Sequence, residues 1–308
     1  MSTLAVSAAE TFNRVMVKHS IELRASPLGF SIGKECILPA LNQWGEDFAN
    51  QVFDLVFPKH SSGIYYHYLT FEAFEKVAEH GCLRFFSTKK LSSEGEFIPL
   101  CQDLSLDGYW RLDKDGQEAG EHANLMDDLF YKSFVSCPET NAATLWDTFA
   151  GGGTGVRIAV RIEVHSDYPD FRRVSYQDSA AVDVLKDLLE SFRTLGRHFV
   201  PFGISRMPAY HQLEKYAYQN ECRLIAKRHP GAHDCFPFRV CRDETQQCNY
   251  IDCSLRAPTC SLFQLRLLDV EGGPSCEADQ NSLNVLLEET QGNTSPEEHD
   301  ESTASPSS

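Results

Sequence analysis

Long apolar runs are missing from this chain. No stretch of about 18 apolar residues occurs in its 308 residues, so a membrane-spanning helix is not expected. The opening MSTLAVSAAETFNRVMVKH lacks the charged start and long apolar core of a secretory signal, which points to a cytoplasmic location. No two cysteines are spaced Cys-x-x-Cys, and the total of eleven is odd, so buried free thiols are expected rather than a disulfide framework. The one dense group is Cys235, Cys241, Cys248, Cys253 and Cys260. Its gaps of five, six, four and six residues fit no common zinc motif, and no metal is expected. Basic charge is also short. A formal net charge of −16 argues against general nucleic-acid binding, which needs a basic surface to neutralise phosphates; a local basic groove stays compatible with it. Between Glu271 and Ser308 there is no Lys or Arg but nine acidic residues, leaving −7 for the rest of the chain. That end is rich in Glu, Ser, Thr and Pro. It holds too little apolar surface to fold outside Leu283 to Leu287, so a disordered acidic tail, suited to a basic partner, is expected from residue 271.

The stretch Ile64 to Phe97 organises what is there. Ile64 to Leu69 is a β-rich aromatic run. Thr70 can cap the helix that follows, Glu72 puts negative charge at its positive end, and Phe71, Phe74, Val77 and Ala78 share one face. Gly81 ends the helix, Leu83 to Thr88 is a second strand, and a polar loop carries Glu94 and Glu96. His67, Tyr68, Thr70, Ser87 and Thr88 thus fall at strand ends and a helix start, where binding groups are often presented.

Residues 1–40 read as an apolar leader with a helix around Ala8 to Val17. From Leu41 to Phe57 the spacing of Trp44, Phe48, Val52 and Val56 predicts an amphipathic helix, closed by Pro58. Residues 98–130, polar and acidic, read as a long excursion: a lid over the site, or a surface insertion without function. Phe130 to Cys137 is a strand and Thr144 to Ala150 a short helix. Gly151 to Gly155 is a tight turn rather than a phosphate loop, since no Lys-Ser/Thr follows and the chain runs into the alternating strand Val156 to Val164. Helices are predicted over Ala180 to Phe199 and Ala209 to Asn220, with strands at Val174 to Tyr176, Glu221 to Lys227, Phe236 to Val240, Tyr250 to Cys253 and Leu262 to Leu268. The expected fold is α+β: one domain over residues 41–270, a central, largely antiparallel sheet and flanking helices.

Several ordered motifs carry a resemblance. Tyr66-His67-Tyr68-x-Thr70, a helix, Leu83-Arg84-Phe85-Phe86-Ser87-Thr88 and a loop ending in Glu96 come first. Phe134-Val135-Ser136-Cys137-Pro138-Glu139, Leu145-Trp146-x-x-Phe149, Gly155-Val156-x-Ile158, Val174-x-Tyr176 and Asn220-Glu221-Cys222-Arg223-Leu224 follow. Over roughly residues 64–228 the chain resembles the uncharacterised family designated DUF2971. It departs from that family at Ser92-Ser93, where Asn-Asp is usual, and at Phe149, where Tyr is usual; a functional Asn-Asp pair would make this chain an altered member. The family's layout is in turn similar, at the level of fold, to ADP-ribosyltransferases, with a His or Arg on the first strand, a Ser or Tyr on a middle strand and a Glu on a late one.

That likeness implies NAD as substrate and no metal. Splitting the nicotinamide–ribose bond builds positive charge on the ribose, which a nearby carboxylate stabilises; Glu221, opening an apolar strand, is the candidate catalytic residue. His67 would bond a ribose hydroxyl, Tyr68 or Tyr66 would stack on nicotinamide, and Ser136 would orient the ribose. Thr70 and Ser87 complete the candidate binding set, with Arg223, Trp146 and Glu96 in support. The plainer alternatives are a cross-strand ion pair between Glu221 and Arg223, a packed strand histidine, hydroxyls that cap or bond backbone, a core Trp146 and a loop carboxylate at Glu96. Two other functions fit the same residues. Glu96, Glu139 and Glu221 could gather around Mg²⁺ for phosphodiester cleavage, or the aromatic strand edge and acidic tail could serve a non-catalytic interaction module. The acceptor, macromolecular or small, is not legible.

Overall fold

Thr70 and Gly81 delimit the helix at the centre of the chain. The Thr70 hydroxyl accepts the Ala73 N–H at 3.3 Å, and Gly81 closes the helix Phe71–His80 at φ +63, a conformation that costs glycine little. In the computed structural model the residues described are 2–93, 100, 104, 127–165, 170–177, 179–201, 206–228, 236–256 and 262–292, with only the backbone of Ser92 and Ser93. The strands among them are β1 (Phe30–Ile32), β2 (Cys36–Pro39), β3 (Gly63–Leu69), β4 (Cys82–Ser87), β5 (Leu129–Val135), β6 (Val156–Val164) and β7 (Asp170–Arg173). After these come β8 (Ser175–Tyr176), β9 (His198–Phe199), β10 (His211–Gln212), β11 (Glu221–Lys227), β12 (Val240–Asp243), β13 (Cys248–Ser254) and β14 (Phe263–Gly272).

Nine of them form one antiparallel sheet in the order β12-β13-β4-β5-β3-β6-β14, with β11 on β5 and β7 on β11. The α+β class with a central antiparallel sheet is therefore what the chain adopts. The sheet curls. Phe85 of β4 stacks on Phe263 of β14 with centroids 5.9 Å apart, and the enclosed face carries a core of Phe74, Phe130, Phe134, Ile158, Leu224 and Ile251 among others. The strands alternate as sheet geometry requires, so the opposite face of β5 and β11 meets a second layer of helices.

That second layer is built by helices Thr3–Lys18, Gln43–Val56 and Ala180–Arg193. The helix expected over Ala8 to Val17 begins earlier, capped by Ser2, and the stretch read as a leader buries Phe12 and Met16 completely. Fully burying a side chain of that size is worth about 1.5–3 kcal/mol. The helix expected to reach Phe199 stops at Arg193; Gly196 turns the chain at φ +68, and His198–Phe199 pairs with β2. No α-helix runs from Ala209 to Asn220. Two 3-10 turns, Met207–Tyr210 and Glu214–Gln219, flank β10, which pairs with β8, because Asn220 turns left-handed at φ +44 and Leu213 is extended. The strand expected from Phe236 starts instead at Val240; the rings of Phe236 and Phe238 pack on the core from a loop.

At the far end β14 runs to Gly272, and a helix, Gln280–Gln291, buries Leu283 and Thr290 against it. Arg256 holds this helix to its neighbour, donating to the carbonyl oxygens of Thr290, Glu289 and Ala78 at 3.0, 3.2 and 3.3 Å. Residues 293–308 of the acidic stretch, the loop with Glu94 and Glu96, nearly all of the excursion between 98 and 130, and Cys235 and Cys260 lie outside the described residues. Among the described residues no helix is long and apolar enough to cross a membrane.

Candidate functional site

β5 has one edge fully paired and one edge shared. Along β11 every residue from Leu129 to Val135 has a partner. On the other edge β4 reaches only Phe130 and Tyr131, and β3 touches only Val135. Between these contacts the sheet forks, and Lys132, Ser133 and Phe134 have no strand partner on that side. Backbone N–H and C=O groups of one strand residue point the same way. The Leu129 carbonyl receives the Thr88 N–H from the β4 side at 2.7 Å. Two and four residues on, Tyr131 and Ser133 point to that side as well.

His67 fills part of the fork. Its Nδ1 lies 2.9 Å from the Ser133 carbonyl oxygen. A carbonyl can only accept, so Nδ1 carries the hydrogen and Nε2 presents a lone pair. Burial, followed by the charge of Lys132, holds the His67 pKa well below its ordinary value, against the opposing pull of the Ser133 bond. The imidazole is therefore neutral at pH 7. Nε2 has no hydrogen-bond partner among the described residues.

A cavity of about 380 Å³ opens at this fork. Such a volume suits a small molecule or cofactor. Rings of Tyr66, Phe86, Tyr131, Phe149, Tyr216 and Tyr218 wall it, and His67, Lys90, Lys132, Gln212, Glu221 and Arg223 supply polar groups. Lys90 lies with its ammonium 4.4 Å from the centre of the Phe86 ring. Lys132 differs from the other cations of the wall. It forms no ion pair or hydrogen bond with any described residue, and burial, with Lys90 and Arg84 as cationic neighbours, draws its pKa down to about 8 despite an opposing pull from Cys253.

Glu221 and Arg223 sit two residues apart on one face of β11, both buried. Arg223 Nε donates to one carboxylate oxygen at 2.6 Å and Nη2 to the other at 3.1 Å, while Nη1 donates to the Ala209 carbonyl at 2.9 Å. The Glu221 N–H is donated to the Tyr176 hydroxyl at 3.2 Å; burial raises that phenol to about 12. The ion pair thus runs along a strand instead of across two. It presents its side to the cavity with both carboxylate oxygens engaged.

Of the residues singled out from sequence, Tyr66, His67, Tyr68, Phe149, Glu221 and Arg223 line this cavity. Tyr68 is buried edge-on against Trp146, centroids 5.0 Å apart, and Trp146 packs in a small core with Leu145 and Val135. Thr70 serves as helix cap outside the cavity. Ser87 is fully buried and does not line it. Ser136 stays out too, its hydroxyl receiving the Asn220 side-chain amide at 3.1 Å. Glu96 lies outside the described residues. Glu139, on the 3-10 turn Pro138–Asn141, is exposed and is not part of the cavity wall. Lys132 and Lys90 were passed over by sequence reasoning. The available signal was a lysine inside the otherwise apolar strand LFYKSFV, where a charge needs a reason.

Set against protein-family models, curated proteins and solved structures, the chain matches none of them.

Proposed function

We propose that the cavity binds a nucleotide-class ligand and that the protein is an NAD-using, ADP-ribosyltransferase-like enzyme of the DUF2971 type. One observation carries this reading: the imidazole of His67 and the carboxylate of Glu221, from strands far apart in the chain, open onto the same aromatic-walled cavity. A neutral His67 offers Nε2 as an acceptor for a ribose hydroxyl. Tyr66, Tyr131 and Phe149 offer faces on which a nicotinamide or adenine ring can lie. Glu221 supplies fixed negative charge in a low-dielectric wall, where it stabilises the positive charge that grows on the ribose as nicotinamide leaves.

Arg223 sets a condition on that role. With both oxygens of Glu221 engaged, the carboxylate acts electrostatically, and it can take a proton from the acceptor only after Arg223 gives up one oxygen. The free thiols of the described cysteines suit the reducing cytoplasm in which we place the protein. Its acceptor and a basic partner for the acidic end belong to the same proposal.

Calorimetry with NAD in metal-free buffer, together with assay of nicotinamide release, tests the reading. Binding that is weakened by His67→Ala, and release that drops at least tenfold in Glu221→Gln with binding retained, are expected. No heat from NAD at millimolar concentration, or unchanged release in Glu221→Gln, would remove it.

A further inference from the structure

We propose that the fork of the sheet between β3 and β4 is an anion seat, in which Lys132, with Lys90 beside it, holds the phosphate groups of the ligand. An ammonium in a partly buried wall loses hydration that only a partner restores, so chains ordinarily pair such a group with a carboxylate. Lys132 has no such partner among the described residues. The charged groups facing it do not compensate it. Lys90 and Arg84 are cations, His67 is neutral at pH 7, and Cys253 is a buried thiol. Arg84 already meets Asp243 and Asp252. Among the described residues, then, no anion answers the charge of Lys132 at the fork.

The backbone adds a donor of the right kind. Ser133 has no strand partner on the forked edge, and its carbonyl there is taken by His67. Its N–H points the same way as that carbonyl, into the fork. Lys132, Lys90 and Ser133 all line the one cavity, and two cations with a backbone N–H suit a ligand that is compact, anionic and rich in acceptors. A phosphate or pyrophosphate meets that description, and the aromatic walls next to it suit the rings of a nucleotide. The seat deepens the nucleotide reading and rests on it for the identity of the ligand, but inorganic pyrophosphate probes it separately.

The test is titration of the full chain with pyrophosphate, and in parallel with NAD, at pH 7 without metal. The expected results are saturable pyrophosphate binding, a loss of at least tenfold in Lys132→Met, near-complete retention in Lys132→Arg, and no change in Lys76→Met, a lysine on an exposed helix face. Thermal melts confirm that Lys132→Met is folded. Equal pyrophosphate affinity in wild type and Lys132→Met, or no pyrophosphate binding by the wild type, overturns the seat. Pyrophosphate binding lost in Lys132→Met, with no NAD binding by the wild type, upholds the seat and removes the NAD reading. NAD binding that Lys132→Met leaves unchanged does the reverse.

Discussion

The imidazole of His67 completes the edge of β5 by donating from Nδ1 to the Ser133 carbonyl at 2.9 Å, at the point where no strand reaches. A side chain thus occupies the place of a ladder bond. The substitution leaves the sheet forked and puts a neutral ring nitrogen at the mouth of the cavity. Its consequences for pH follow directly.

Because the folded-state pKa of His67 lies well below its ordinary value of 6.5, the unfolded chain binds the proton first as pH falls. This contribution to stability is complete above about pH 6.5 and is lost as pH drops from there through the folded pKa. Urea unfolding between pH 7.5 and 5 will show wild-type stability falling, and His67→Gln will flatten that part of the profile. An identical slope in the variant would show that other groups set it.

Lys132 carries the opposite expectation from an ordinary lysine: removing it should strengthen the fold. Its pKa of about 8 lies below the unfolded value, so the folded state is penalised while the amine is charged. The group's full contribution is present above the unfolded pKa and is lost as pH falls through about 8. Lys132→Met is expected to raise stability by roughly 1–3 kcal/mol at pH 7, the gain shrinking toward pH 10. Chemical denaturation at the two pH values measures it, and a destabilised variant at pH 7 would count against an uncompensated charge.

Glu221 and Arg223 should prove strongly coupled. Glu221→Ala leaves a buried guanidinium without its anion and is expected to cost about 3–5 kcal/mol, whereas the double replacement Glu221→Ala with Arg223→Met should cost less than the sum of the two single changes. A double-mutant cycle in urea resolves the coupling; additivity would mean that the pair is incidental.

Arg256→Ala removes a guanidinium that ties the carboxyl ends of two helices, Phe71–His80 and Gln280–Gln291, through their last carbonyls. Both helices end in left-handed glycines, Gly81 and Gly292, so the change should act on their final turns without unwinding them. A loss of about 1–3 kcal/mol is expected. Hydrogen exchange should accelerate around Ala78 to Gly81 and Glu288 to Gly292 while the β3–β6 ladder keeps its protection; uniform acceleration would point to global destabilisation instead.

Elements with strong local rules were legible in the amino-acid order. Thr70 and Gly81 bracket a helix by capping chemistry, Val156 to Val164 alternates over a half-buried surface, and the apolar stripe of Ala180 to Arg193 marks its packed side. Where a segment's conformation is imposed by its neighbours, the reading failed. His211–Gln212 is a strand only because β8 lies beside it, and the Gln280–Gln291 helix, with a short apolar stripe and an acidic surround, is held by β14 and Arg256. In the site, His67 was legible from its place near a strand end and Glu221 from the family likeness and its position opening an apolar strand. Lys132 lies in the middle of a strand and belongs to no motif, and only its lack of a partner among the described residues distinguishes it from a lysine whose ammonium reaches water.

From the sequence alone came the local grammar: which segments are helix or strand, the absence of a long apolar span, and the concentration of negative charge at one end. Tertiary structure decided how β5 divides its free edge between β3 and β4, which carboxylate Arg223 engages, and that Lys132 has none among the described residues. Local elements follow from interactions among residues close in the chain. A fork in a sheet, or a cation left uncompensated, depends on pairings between distant residues, which sequence spacing does not encode.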